Sequence, residues 1–276
     1  MTAFLEEMAA GSRERVRLAQ RACAPAALES QARNVRAPSR LQLDASGFDL
    51  IAELKLRSPA AGALSVRGEN VEQRVAAYAR AGAAAVSVLT EPSRFDGSLA
   101  HLKSAAGALA PLAVPAMRKD FLVDPYQVLE ARVAGAGGVL VILRLLPRGE
   151  LTALLDCASD LGLFVLLEAF DAHDIALMHE LLAAHRGSNQ LLAGVNCRDL
   201  ATLKIVPQRL IELAPLLPMS VPRVAESGVV SPADAARVAA AGYDLALVGS
   251  ALMQGKDPGA LAAQLLAAGR AARRST

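Results

Sequence analysis

Eight short aliphatic runs recur along this chain, each followed by a polar or glycine-containing turn and then an Ala/Leu-rich stretch. They cover residues 50–55, 85–89, 114–118, 138–142, 164–168, 192–196, 221–225 and 245–248. Their ends step by about 28 residues on average, the length of one βα unit. Near-continuous apolar strands are what a parallel sheet needs when helices cover its outer face. Eight unbroken alternations favour a single (β/α)8 TIM barrel over an open doubly wound sheet. Boundary residues agree with this: the stretch from Val71 stops before Gly82, Pro125 opens one that stops before Gly135, and Ser231-Pro232 opens one that stops before Gly242. These are the residues that start and stop helices. Residues 1–46 precede the first run, and 2–21 read as helical. The chain is therefore expected to divide into an N-terminal helical extension, 1–46, which caps or flanks a barrel domain, 47–276.

Composition narrows the function. Of 276 residues 53% are apolar, enough for a large core and too many for a disordered chain. Lys plus Arg (29) nearly balances Asp plus Glu (27), so no broad basic surface is expected for nucleic acid. The longest uncharged stretch, 104–117, contains Pro111 and Pro115 and falls short of a membrane span, and Glu6-Glu7 stand where a secretory signal needs basic residues. Cys23, Cys157 and Cys197 lie far apart with no CxxC, which reads as reduced thiols of a cytoplasmic protein. The four histidines form no HExxH, and His173, His179 and His185 read as one helix surface.

In a barrel of this kind, chemistry gathers at the C-terminal ends of the strands. Those ends carry Glu53 and Lys55, Arg118-Lys119-Asp120-Phe121, Glu168, Asn196-Cys197-Arg198, Glu226-Ser227-Gly228 and Gly249-Ser250. Charges closing apolar strands are costly unless paired or used. A ring of acids, lysines and an amide points to acid–base work on an anionic substrate without a metal. Plainer readings stand beside each. Glu53 and Lys55 also read as an ion pair along one strand face, and Lys119-Asp120 as a solvated loop. Glu168 also reads as a paired barrel-mouth charge, Asn196 and Arg198 as partners of loop carbonyls, and Glu226 as a surface acid. Phe95 and Phe121 also read as core aromatics, and Cys197 as a small packing residue. Ser227-Gly228 and Gly249-Ser250, at neighbouring strand ends and followed by a short helix from Ser250, are together a phosphate signal.

These segments resemble the indole-3-glycerol-phosphate synthase family. The resemblance lies in Ile51-Ala-Glu-Leu-Lys55, Ser58-Pro59, Ser87-Val-Leu-Thr-Glu91, Phe95-Asp-Gly-Ser98, Arg118-Lys-Asp-Phe121, Gly194-Val-Asn-Cys-Arg-Asp-Leu200, Ala225-Glu-Ser-Gly228 and Leu247-Val-Gly-Ser-Ala-Leu-Met253, in order from about residue 47. It implies a (β/α)8 barrel with an N-terminal segment, no cofactor and no metal. The implied reaction converts 1-(2-carboxyphenylamino)-1-deoxyribulose 5-phosphate to indole-3-glycerol phosphate, CO2 and water within tryptophan synthesis, with other enzymes of that pathway as possible partners. By resemblance, Lys119 is the general acid for ring closure and Glu168 the base-side carboxylate. Lys55 is a second cation that binds the substrate carboxylate or serves as acid in dehydration, Glu53 tunes the lysines, and Asn196 with Glu226 orients the sugar hydroxyls. Ser58 and Arg198 attend the benzoate carboxylate. Ser227, Gly228, Gly249 and Ser250 hold phosphate, while Phe95, Phe121, Leu140 and Leu247 form the apolar slot. Lysines crowded at one mouth are expected to lower each other's pKa and so ease proton donation.

Three departures stand out. Leu56-Arg-Ser-Pro-Ala-Ala-Gly62 lacks the further Ser and Lys usual in the family's first loop, which predicts a looser hold on substrate. Ala169-Phe170-Asp171 stands where Val-His-Asp is common, and Cys197 where Asn or Ser is usual. Two other readings compete. A phosphoribosyl-anthranilate isomerase-like barrel needs a Cys near the end of strand one, where this chain has Glu53 and Lys55. An inactive phosphate-binding barrel is opposed by the intact Lys119 and Glu168.

Overall fold

Eight parallel strands close on themselves in chain order: β1 (Asp49–Leu54), β2 (Ala85–Leu89), β3 (Ala116–Lys119), β4 (Gly138–Ile142), β5 (Phe164–Ala169), β6 (Leu191–Asn196), β7 (Arg223–Glu226) and β8 (Leu245–Val248), with β8 pairing back onto β1. Helices connect successive strands on the outside, so the fold is a (β/α)8 TIM barrel. This computed structural model describes residues 2–59, 62–64, 70–185, 190–255 and 257–274. Ala60 and Ala61, where the first loop departs from the family pattern, lie outside the described residues.

The strands are mostly apolar because both faces are covered, the inner by the packed lumen and the outer by the helices. Every residue of β1, β2, β4, β5, β6 and β8 is buried. The expected stops hold: Gly82, Gly135 and Gly242 each follow a helix end with φ between +90° and +100°, a conformation that costs glycine nothing. Ser231 caps the helix Pro232–Ala240 in a reciprocal box with Asp234.

Two strands start later than their aliphatic runs suggest. Pro115 and Pro222 lack the N–H a central strand needs, so β3 begins at Ala116 and β7 at Arg223. Their carbonyls still accept from Val86 and Ala193, at 3.0 and 2.9 Å. Both strands then run one residue further than expected, and this places Lys119 and Glu226 on the sheet itself.

The N-terminal segment forms α1 (Ala3–Ala22) and α2 (Pro25–Asn34). Thr2 caps α1, and Leu5, Met8, Ala9, Ser12 and Val16 form its buried stripe at helical spacing. That stripe packs over the loop after β3. Ser12 Oγ donates to the Phe121 carbonyl at 2.6 Å and accepts from Gln127 at 2.8 Å, while Arg15 reaches the Asp120 carboxylate at 2.7 Å. Phe4 meets Phe121 edge to face with ring centroids 5.9 Å apart.

One helix-surface expectation fails. His173 and His179 are exposed on the helix Ala172–Ala184, but His185 follows that helix as its C-cap and is buried. Its ring lies 2.8 Å from the Leu181 carbonyl and 3.2 Å from Asp156.

Candidate active site

Alternation along β3 sends neighbouring cations to opposite sides of the sheet. Arg118 turns outward, donating to the Gln127 carbonyl at 2.7 Å and to Glu130 at 2.9 Å on the helix Pro125–Val133. Lys119 turns into the barrel mouth, with Nζ 3.5 Å from Glu168 and 4.0 Å from Glu226. On β1, Glu53 faces the same mouth and pairs with Lys55 at 2.8 Å. Asn196 donates to Glu168 at 2.7 Å, and its own oxygen accepts from the Arg198 backbone at 2.9 Å, which fixes the amide's orientation. The Arg198 guanidinium donates to the Leu203 carbonyl at 2.8 Å.

Room for these carboxylates comes from two glycines. A methyl group on Gly194, which lies in register with Glu168, would overlap Glu226 Oε1, and one on Gly249 would overlap Glu53 Oε1. Both positions need glycine for close approach rather than for backbone freedom.

The electrostatics differ from expectation at Lys119. Burial opposes its charge, but the carboxylates of Glu168, Glu226 and Glu53 outweigh that and hold the ammonium above the ordinary lysine range. Three acids surround it, so crowding of lysines does not govern the site. Glu53 is also shifted: burial opposes its ionisation, yet Lys55 and then Lys119 hold it below the usual carboxylate range. Glu226 goes the other way, pushed well above that range by burial and by Glu168 against the pull of Lys119.

These groups line an open-mouthed cleft of about 1050 Å³, which takes in part of the solvent at its opening. The residues given site roles by resemblance all meet on it: Glu53, Lys55, Ser58, Phe95, Lys119, Phe121, Leu140, Glu168, Asn196, Arg198, Glu226, Ser227, Gly228, Leu247, Gly249 and Ser250. Ser227 and Gly228 have φ of +66° and +74°, and a Cβ on Gly228 would crowd the Cys197 sulfur at 2.9 Å. Cys197 is fully buried, and burial pushes its thiol up, as suits a packing residue. Next door, the helix Ser250–Gln254 starts at Gly249 without a side-chain cap, leaving its first N–H groups directed at the cleft's edge.

Sequence reasoning missed part of the wall. Phe4 and Leu5 of α1, Ile142 and Phe170 also line the cleft, as does Asp120, which is buried rather than part of a solvated loop. The apolar stripe of α1 was the available signal for the first two. Phe170 carries the Arg144 guanidinium 4.9 Å from its ring centroid, and Asp171 and Asp174 hold that guanidinium in turn.

A sequence model described as indole-3-glycerol phosphate synthase matches residues 5–265. The chain belongs to the indole-3-glycerol phosphate synthase family. Its relatives include the indole-3-glycerol phosphate synthase of Parafrankia sp. (strain EAN1pec), 41% identical with 96% of both chains covered, and that of Beutenbergia cavernae, 39% identical over 96% of this chain and 95% of the relative. The Nocardioides sp. (strain ATCC BAA-499 / JS614) synthase is 44% identical over 78% of each. The family match starts inside α1, so the extension belongs to the matched region. Among solved structures, thiamine phosphate pyrophosphorylase from Pyrococcus furiosus superposes with a TM-score of 0.59 at 15% identity, covering 81% of this chain and 96% of that one. This likeness is one of fold. The synthase family membership rests on the sequence relatives.

Proposed function

We propose that the chain is a carboxy-lyase that converts 1-(2-carboxyphenylamino)-1-deoxyribulose 5-phosphate into indole-3-glycerol phosphate, CO2 and water. The observation that carries this reading is a half-buried lysine ammonium, Lys119, standing between Glu168 and Glu226 in a cleft lined by both charged and apolar residues, in a member of this family.

In ring closure, the aromatic carbon bearing the carboxylate bonds to the ketone carbon, and the ketone oxygen takes a proton from Lys119. The electron pair of the departing CO2 then neutralises the cationic nitrogen. In the dehydration, the new hydroxyl leaves as water with a proton from an ammonium, Lys55 or a reprotonated Lys119, while Glu168 takes the ring proton. A firmly protonated Lys119 suits the first step as a donor whose hydrogen bond strengthens as negative charge builds on the oxygen. Glu53 holds Lys55 in place, and Asn196 holds Glu168. Ser58 and Arg198 attend the benzoate carboxylate, and Asn196 and Glu226 face the sugar hydroxyls. Phosphate sits on the backbone of Ser227, Gly228, Gly249 and Ser250, with the aromatic ring between Phe95, Phe121, Leu140 and Leu247. We place the enzyme in the cytoplasm, with neighbouring enzymes of tryptophan synthesis as possible partners.

Lys119→Met keeps side-chain bulk while removing charge and proton. General acid catalysis contributes about 10²–10⁴-fold, so kcat should fall by at least that order while KM changes much less. Lys55→Met should raise KM more visibly. Ultraviolet detection of the indole product, with circular dichroism to confirm folding, checks both. Near-parent turnover by Lys119→Met would remove Lys119 as the acid and leave Lys55 as the better candidate.

A further inference from the structure

Glu226 is 1% exposed, yet among the described residues neither of its carboxyl oxygens receives a hydrogen bond. A buried acceptor left without a donor costs about 1–3 kcal/mol, and an ionised one more. The charges that face it are those of Lys119 from β3, Glu168 from β5, and Glu53 from β1. On its flanking strands the register partners are uncharged, Asn196 on β6 and Leu247 on β8. Lys119 lies nearer to Glu168 than to Glu226, and Asn196 gives its amide hydrogen to Glu168. Glu53 has Lys55 to itself at 2.8 Å. Three carboxyls therefore share two ammonium groups, and Glu226 is the one left over. Its Oε1 lies against Gly194, in the space a side chain there would take.

A single proton resolves this. We propose that Glu226 rests as the neutral acid and donates a hydrogen bond to Glu168, so that the two carboxyls hold one proton and one negative charge between them. Both carboxyls flank the one Lys119 ammonium, Glu168 at 3.5 Å and Glu226 at 4.0 Å, which brings them side by side. Glu168 then has Asn196, Lys119 and the Glu226 hydroxyl as partners; one Glu226 oxygen gains a partner, and the other is left as a neutral carbonyl, a cheaper orphan than an ionised oxygen. Two like charges this close in a buried site do not both ionise readily. The arrangement also brings the four groups Glu53, Lys55, Lys119 and Glu168 to electrical balance before a polyanionic substrate enters. The catalytic use rests on the function proposed above. When Glu168 takes the ring proton, the pair passes from one proton and one charge to two protons and none, and the extra proton leaves to water after product release.

Infrared difference spectroscopy of the unliganded full chain at neutral pH tests the resting proton directly. A protonated carboxylic acid absorbs above the carboxylate band and shifts in D2O. The expected result is such a band in the parent, its loss in Glu226→Gln, and its loss from the parent at high pH without any variant. Buried Asp49 and Asp174, whose pKa values are also raised by burial, contribute bands that Glu226→Gln leaves in place. In kinetics, Glu226→Gln should lower kcat by less than about tenfold, since the amide still donates to Glu168, whereas Glu168→Gln should cost about 10²–10⁴-fold. The alkaline limb of the parent's kcat profile due to the pair should disappear in Glu226→Gln. Absence of a band that depends on Glu226 overturns the proposal, as does an unchanged alkaline limb. Because the band is read without substrate, failure to form indole would overturn the functional reading and leave the shared proton standing.

Discussion

Glu226 and Glu53 close neighbouring stretches of the same barrel mouth, yet their surroundings drive their protonation in opposite directions. The consequence for stability can be worked out by sign. A carboxyl whose pKa is raised in the native state keeps a proton there that the unfolded chain has already released. Stability from that proton is complete below the unfolded value, about 4.3, and is lost as pH rises through the raised native value. Replacing Glu226 by Gln removes this dependence. Relative to the variant, the parent's melting temperature should therefore fall as pH is raised from about 5 to 8, read by thermal unfolding across that range; a constant difference would contradict the raised value. Lys119, shifted upward from an already high value, does not titrate in that window. Gly249 supplies a second test at this scale. Backbone approach to phosphate alone would make Gly249→Val a pure KM variant. Overlap of its side chain with Glu53 instead predicts a fall in kcat together with a rise in KM, checked by steady-state kinetics. An unchanged kcat would mean that Glu53 is not displaced. Acids and lysines at the ends of apolar runs could be read from the sequence because apolar strands do not tolerate idle charge. Their effect on one another could not, since it depends on distances across the barrel between β1, β3, β5 and β7.

At the level of elements, helices were marked by their own punctuation, and strand starts were shifted by local chemistry. The prolines at 115 and 222 fit the aliphatic runs but lack the donor, which delays the strand starts, while pairing with Leu89 and Leu247 carries the strands on to Lys119 and Glu226. α1 was legible as a helix but its destination was not, because periodicity gives the apolar face and not the surface that meets it. Its buried Ser12 hydroxyl ties it to both Phe121 and Gln127. Ser12→Ala leaves two buried polar groups short of a partner, so urea unfolding should show a loss of about 1–3 kcal/mol. Because Phe121 and Phe4 share the cleft wall, KM should rise more than kcat falls. A variant as stable as the parent would show that α1 is held by its apolar stripe alone. The missed wall residues lie at the end of an apolar run (Ile142) or just past one (Phe170), where a side chain lining a cleft looks the same in sequence as one in the core.

For the whole molecule, closure of eight strands is the reason residues from positions 53 to 250 meet in one cleft. A barrel converts a period of βα units into a ring of strand ends, so knowing the period was enough to collect the site from the sequence. Shape alone does not decide chemistry, as the pyrophosphorylase of similar fold illustrates. The acid–base groups inside the ring, together with family membership, carry the functional reading. The most direct measurement of it incubates the purified full-length chain with 1-(2-carboxyphenylamino)-1-deoxyribulose 5-phosphate and follows indole absorbance and released CO2 together. Both are expected in equal amounts, with no added metal or cofactor, and both are expected to be lost in Lys119→Met. Substrate binding by the folded parent without indole formation, or indole formation undiminished in Lys119→Met, would contradict that reading.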